Sequence, residues 1–135
     1  EKTFKNSISE KSIINIGPID LESCPSIYNQ CDALFAPTLL ETFSAAYPES
    51  MKMRKPILTS SYSFAKDICK DAGLYFDPTN PRNIADTIIQ LFENPNLTNT
   101  LIKKGSKQLK TFETANSRAK KYIILCNKIV KGMNV

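Results

Sequence analysis

The sequence predicts an α/β fold, a Rossmann-like parallel sheet of about four strands flanked by helices and followed by a helical C-terminus. Three observations point there. Short β-rich apolar runs alternate with helical segments, and the crossovers between them are short, the pattern of parallel strands joined by helices. The run Ala33-Leu34-Phe35-Ala36 is apolar at every position, as expected of a strand covered by helices on each side. Past Pro81 the apolar residues change to helical spacing.

Taken in order, Ile13-Ile14-Asn15-Ile16 reads as a strand stopped by Gly17-Pro18. Glu22 to Gln30 suits a short helix with Pro25 in its first turn. Ala33 to Ala36 is a second strand, closed by Pro37, and a helix follows from Ala45 to Arg54, stopped before Pro56. Ile57-Leu58-Thr59 is a third strand; the polar stretch Ser60 to Ser63 leads into a short helix over Phe64 to Cys69. Gly73-Leu74-Tyr75-Phe76 is a fourth strand, ended by Asp77-Pro78. Pro81 opens a helix with Ile84, Ile88 and Leu91 in an apolar stripe, and Asn94-Pro95-Asn96 breaks it. Helices over Leu97 to Phe112 and Ala115 to Lys131 follow, the second with Ala119, Ile123, Cys126 and Val130 along one side. One domain is expected over residues 1–135, with strands and crossovers in 1–93 and the C-terminal helices in 96–132.

Composition narrows the chemistry. The 135 residues are enough for a real core, and 41% hydrophobic with 23% charged residues is the balance of a globular protein. No apolar run approaches the ~20 residues of a membrane helix. The chain has no histidine, which excludes a histidine base of its own. Cys24, Cys31, Cys69 and Cys126 show no CxxC spacing, so no metal site is expected and the thiols read as buried and reduced. The net charge of +5 is uneven: residues 101–135 carry +8 and the rest −3. A basic C-terminal segment suits an anionic membrane surface or nucleic acid, and more often is the solvated side of a helix.

The informative segment runs from Ala36-Pro37-Thr38 through Leu39-Leu40-Glu41-Thr42-Phe43-Ser44 into the helix beginning at Ala45. It leaves the carboxyl end of a parallel strand, where open α/β sheets bind ligands. Ser44 reads as the N-cap, and free N–H groups at Ala45 to Tyr47 could receive a phosphate. Glu41 lies in the loop and Glu49 in the helix, so the two are not expected side by side as an acid–base pair; each suits the hydroxyls of a sugar or ribose instead. Both could also be ordinary helix-entry acids. A capping box, however, would need Glu or Gln where Tyr47 stands, so capping explains Glu49 poorly.

On these residues the chain resembles the C-terminal domain of retaining glycosyltransferases of the GT-B fold, family 4 in particular. Glu41 and Glu49 match that family's E-x7-E motif, Phe43 its loop phenylalanine, and Ala33 to Thr38 the strand and turn before it. Lys55-Pro56-Ile57, Asp71-Ala72-Gly73 and Phe76-Asp77-Pro78 match later landmarks in order and spacing. The resemblance implies that Glu49 holds ribose hydroxyls of a nucleoside diphosphate sugar and that Glu41, the catalytic candidate, contacts the donor sugar. Backbone N–H groups of Phe43, Ser44 and Ala45 would approach sugar and diphosphate, and Ile19, in the turn after Gly17-Pro18, would lie near the base.

It further implies a hexose passed from that donor to a saccharide or lipid-linked acceptor, in surface polysaccharide or glycolipid synthesis, with no metal and no cofactor. Ser44 and Arg54 stand where the family commonly has glycine, and Ser63-Phe64 where it has a glycine pair.

The chain reads as a truncated domain that starts near the end of a second crossover at Glu1-Lys2-Thr3-Phe4, without two strands, a basic Arg–Lys pair or the acceptor domain, and inactive alone. Since the fold's usual strand order is 3-2-1-4-5-6, Ile13 to Ile16 would lose its neighbour and pair beside Ala33 to Ala36 or with a second chain as a homodimer. Expected partners are the nucleoside diphosphate sugar, the absent acceptor domain and, through the basic helices, the inner face of a membrane, with no nucleic acid and a cytoplasmic location. Rival readings are a non-catalytic nucleotide-binding module and a basic helical module for anionic membrane or nucleic acid.

Overall fold

In a computed structural model of the chain, residues 13–132 are described; the crossover end expected at the very start of the chain lies outside them. The chain divides after Cys31 into two compact units. In the first, residues 13–20 are irregular, a 3₁₀ turn spans Leu21–Ser23, and α1 spans Cys24–Gln30 with Pro25 in its first turn. The strand expected at Ile13 to Ile16 does not form. Its β-branched residues prefer a pleated surface only where a neighbouring ladder supplies one, and here the sheet consists of three other strands. Ile14 and Ile16 are exposed at 76% and 59%. The turn after them is as read: Gly17 has φ +68, and its N–H donates to Asn15 Oδ1 at 2.9 Å.

The second unit holds the parallel sheet: β1 (Leu34–Ala36), β2 (Ile57–Ser60) and β3 (Gly73–Phe76), in that order and in register Leu34–Ile57–Gly73. Helices α2 (Ala46–Lys52) and α3 (Ser63–Cys69) form the crossovers, and a 3₁₀ turn at Lys70–Ala72 leads into β3. Beyond come α4 (Pro81–Glu93), α5 (Pro95–Leu109) and α6 (Ala115–Val130). Asn80, Asn94 and Thr114 cap the last three with side-chain oxygens, which fixes where each begins.

The central strand β2 is buried along its whole length. Its side chains alternate between two cores, as the two-residue period of a strand requires. Ile57 joins Tyr47, Met51, Ala65, Ile68, Cys69 and Ala72 on one face; Leu58 joins Phe76, Leu91 and Leu101 on the other. Gly105 lets α5 approach α2 closely: a Cβ there would stand 3.3 Å from Met51 Cγ. Gln108 Nε2 donates to the Ile68 carbonyl at 2.9 Å and ties α5 to the end of α3.

Helix α2 ends in a Schellman motif. Lys55 N–H donates to the Ser50 carbonyl at 2.9 Å and Arg54 N–H to the Met51 carbonyl at 3.2 Å. The residue between cap and exit, Arg54, has φ +57, the left-handed conformation in which glycine carries no Cβ penalty. The thiols correct one expectation. All four are free, but only Cys69 is buried, while Cys31 and Cys126 are exposed. At Cys31 and Cys126 local apolar composition did not translate into burial.

Two outcomes are expected. Arg54→Gly should raise stability by roughly 0.5–1 kcal/mol, a few degrees in Tm, since relief of the left-handed strain exceeds the added freedom of the unfolded chain; calorimetry checks it. Burial pushes the Cys69 thiol up to about 12, so at neutral pH Cys31 and Cys126 should react rapidly with a thiol reagent and Cys69 only on unfolding.

Candidate functional site

Because the three strands are parallel, their carboxyl ends share one edge of the sheet. The loop from Pro37 to Ala45 leaves β1 at that edge and enters α2. A buried relay of hydroxyls holds it there. Thr59 Oγ1 donates to the Ala36 carbonyl at 3.2 Å, so the Tyr47 hydroxyl, 2.8 Å away, donates to Thr59. Ser60 Oγ donates to the Thr38 carbonyl. Tyr47, Thr59 and Ser60 are all fully buried, and among the described residues no buried side-chain polar atom lacks a partner. Both ends of the loop are thereby pinned to β2, its start through two carbonyls and its exit through Tyr47 on α2.

Burial raises the pKa of the Tyr47 phenol, opposed by the Thr59 hydrogen bond and reinforced by the Cys69 thiol and the Glu41 carboxylate. Glu41 thus stands within electrostatic reach of the relay. It is half-buried, and its Oε1 accepts the Thr42 N–H at 2.9 Å. Phe43 is 51% exposed and rests edge-on against Phe112, ring centroids 6.4 Å apart.

Ser44 is not the cap the sequence suggested. Ala45 flanks the helix in helical conformation with no side-chain cap, and it is the Ser44 carbonyl that accepts, from Tyr47 N–H at 3.3 Å. The chain already curls before the helix proper, so the Ser44 side chain has no N-terminal turn to close. No acceptor among the described residues takes the N–H groups of Phe43, Ser44 or Ala45. Helix α2 has seven residues, a short dipole. Glu49 lies in its first turn and is exposed, two residues beyond the inward-facing Tyr47 and therefore on the outer side.

The structure gathers Glu41, Phe43, Ser44, Ala45 and Glu49 on one loop–helix segment of the second unit. Ile19 lies in the first unit, 45% exposed. Tyr47, Thr59, Ser60 and Phe112 were missed as site-building residues. The signal was present in Thr59-Ser60, two hydroxyl residues closing a strand whose neighbours are apolar, which must find acceptors when buried. Two cavities, about 270 and 280 Å3, lie away from this loop: one between the Lys70–Ala72 turn and α5, the other beside Asp32, Pro56 and Leu91. Among the described residues no cluster of His, Cys, Asp or Glu could hold a metal ion, and no helix is long and apolar enough to cross a membrane.

Residues 1–108 match the family model for glycosyl transferases group 1. The chain is similar to an uncharacterized glycosyltransferase of Methanocaldococcus jannaschii, 26% identical over 110 residues, which cover 80% of this chain and 31% of that protein. Its fold is similar to sucrose-phosphate synthase of Thermosynechococcus elongatus, with a TM-score of 0.82 at 18% identity over 97% of this chain and 34% of the other. The chain therefore spans about a third of the length of either protein.

The relay makes a graded prediction. Thr59→Val strands the buried Tyr47 hydroxyl and should cost about 1–3 kcal/mol, whereas Tyr47→Phe removes one bond at about 0.5–1.5 kcal/mol. Urea unfolding midpoints of the two variants check the order.

Proposed function

The chain belongs to the glycosyl transferases group 1 family, and on that premise we propose that it is the C-terminal, donor-binding part of a retaining, family 4-like glycosyltransferase. The observation that carries the proposal is the pinned loop with Glu41 on it, Glu49 just beyond it, and three backbone N–H groups between them that meet no acceptor among the described residues. Diphosphate oxygens are suitable acceptors for such amides, and a carboxylate accepts from the vicinal hydroxyls of a ribose or hexose.

In this reading Glu49 takes the ribose hydroxyls and Glu41 those of the donor sugar. Phe43, braced by Phe112, walls the sugar. The bond from the anomeric carbon to the diphosphate oxygen breaks with its electron pair leaving on the diphosphate, the acceptor hydroxyl oxygen bonds to that carbon on the same face, and its proton passes to the departing diphosphate oxygen. The role of the N–H groups of Phe43, Ser44 and Ala45 is to stabilise charge developing on that leaving group. Hexose transfer to a saccharide or lipid-linked acceptor, in surface polysaccharide or glycolipid synthesis, completes the proposal, with the acceptor held by a domain outside these residues and no metal taking part.

The test is thermal unfolding of the chain, Glu49→Ala and Glu41→Ala with UDP, GDP, ADP and their sugar conjugates. A ligand at ~100 times its Kd stabilises by about 2.7 kcal/mol, several degrees here. One base should shift Tm, Glu49→Ala should abolish the shift, and Glu41→Ala should remove only the increment due to the sugar. A shift by nucleotide with no sugar increment indicates a non-catalytic nucleotide module, and a shift indifferent to Glu49→Ala overturns the proposal.

A further inference from the structure

The hydroxyl relay pins the two ends of the loop between β1 and α2 but does not extend to its middle. From β2, Thr59 and Ser60 reach it as far as the Thr38 carbonyl; at the exit, the Ser44 and Ala45 carbonyls accept the Tyr47 and Glu49 N–H groups. Between Leu39 and Phe43 the hydrogen bond among the described residues is local, from Thr42 N–H to Glu41 Oε1. Leu39 and Leu40 are exposed at 62% and 86%. The ring contact that reaches this stretch from another part of the fold is that of Phe43 with Phe112, edge-on with planes at 73°, an arrangement aromatic pairs favour. Its two members are unequal. Phe43 is half-exposed, whereas Phe112 is partly buried and packs with Leu109 on the core around Tyr47, Met51 and Ile57. Phe112 follows the end of α5, where the N–H groups of Lys110, Thr111 and Phe112 each donate three residues back and tighten the chain. Helix α5 is itself fixed, through the close approach of Gly105 to Met51 and the bond from Gln108 to the Ile68 carbonyl. Phe112 is therefore the seated ring and Phe43 the ring it places.

We propose, resting on the donor-binding reading, that Phe112 is a positioning residue for the donor sugar: through Phe43 it orders the loop middle that carries Glu41, and so governs recognition of the sugar rather than of the nucleotide. The split follows from where each contact is anchored. Ser44, Ala45 and Glu49 are held by the first turn of α2, whatever stands at position 112. Glu41 and Phe43 lie in the stretch whose hydrogen bonds, among the described residues, do not reach the rest of the fold. Phe112 also lies beyond residues 1–108, the part that matches the family model, so chain outside that match supports the site. An edge-on aromatic pair changes a population roughly two- to tenfold, which sets the size of the effect.

Nuclear magnetic relaxation of the full chain tests the positioning without a ligand. Phe112→Leu keeps apolar volume against the core but removes the ring edge. Backbone order parameters at Leu40 to Phe43 should then fall from about 0.85 to about 0.6 or below, while those of β2 stay unchanged. Titration with UDP, GDP, ADP and their sugar conjugates tests the role in binding. Phe112→Leu should weaken the conjugate of the preferred base roughly two- to tenfold and leave the bare nucleotide unchanged. Because Phe112 acts through Phe43, combining Phe112→Leu with Phe43→Leu should weaken the conjugate no more than Phe43→Leu alone. Unchanged order parameters, equal weakening of nucleotide and conjugate, or additive losses in the double variant overturn the proposal. Binding of neither ligand by the parent chain overturns the donor-binding reading and the sugar role with it, while the order parameters still decide whether Phe112 holds the loop.

Discussion

The constraint on which the second unit depends is the burial of β2 on both faces. Ile57 and Leu58 satisfy it with apolar side chains, one to each core. Thr59 and Ser60, at the carboxyl end of the same strand, satisfy it with hydroxyls that are as dry as the core. A buried hydroxyl without a partner costs about as much as several tight packing contacts contribute, so the backbone that supplies partners is held in place. That backbone is the turn out of β1, through the carbonyls of Ala36 and Thr38. Tyr47 closes the relay from α2, on the far side of the loop. The loop's two anchors are therefore consequences of core burial rather than of contacts made by the loop's own exposed side chains.

This explains which parts were legible in the sequence. Gly73 to Phe76 and the helix from Pro81 were readable because local signals agree with the packed structure: an apolar run with turn residues after it, and a proline–asparagine start with an apolar stripe. Ile13 to Ile16 carries the same strand composition and forms none, because a strand is a property of a pair and composition describes only one member. Ser44 failed as a cap for a related reason: capping depends on the turn that precedes the helix, and here Ala45 is already helical. Glu41 and Glu49 were located by motif, whereas the relay beneath them joins residues more than ten positions apart, a separation that no local pattern encodes.

Two places depart from local preference, and in different ways. At Arg54 the backbone geometry is retained without the residue that suits it: the Schellman bonds of α2 form even though an arginine must adopt a left-handed conformation. Packing of Met51 and Tyr47 into the core sets the position of α2, and the small strain at its exit is outweighed. At α6 the reverse holds. Local signals are sound, with a Thr114 cap at the start and Gly132 at φ +64 after the end, but the apolar face they create has no layer to meet within the described residues.

Those contrasts bear on how such a fold persists at 18% identity with a TM-score of 0.82. A site built from side chains alone would need those side chains; a site built partly from backbone N–H groups needs only that the backbone be held. At this sheet edge the holding is done by small hydroxyls and one phenol, which tolerate wide change elsewhere provided each buried polar atom keeps an acceptor or donor. On the proposed reading Glu41 and Glu49 have a narrower task than the loop: they would add selectivity for hydroxyls at either end of a segment already pinned to the strand beneath it. On the same reading ligand preference would rest on a few exposed residues, and the shape of the loop on the buried relay.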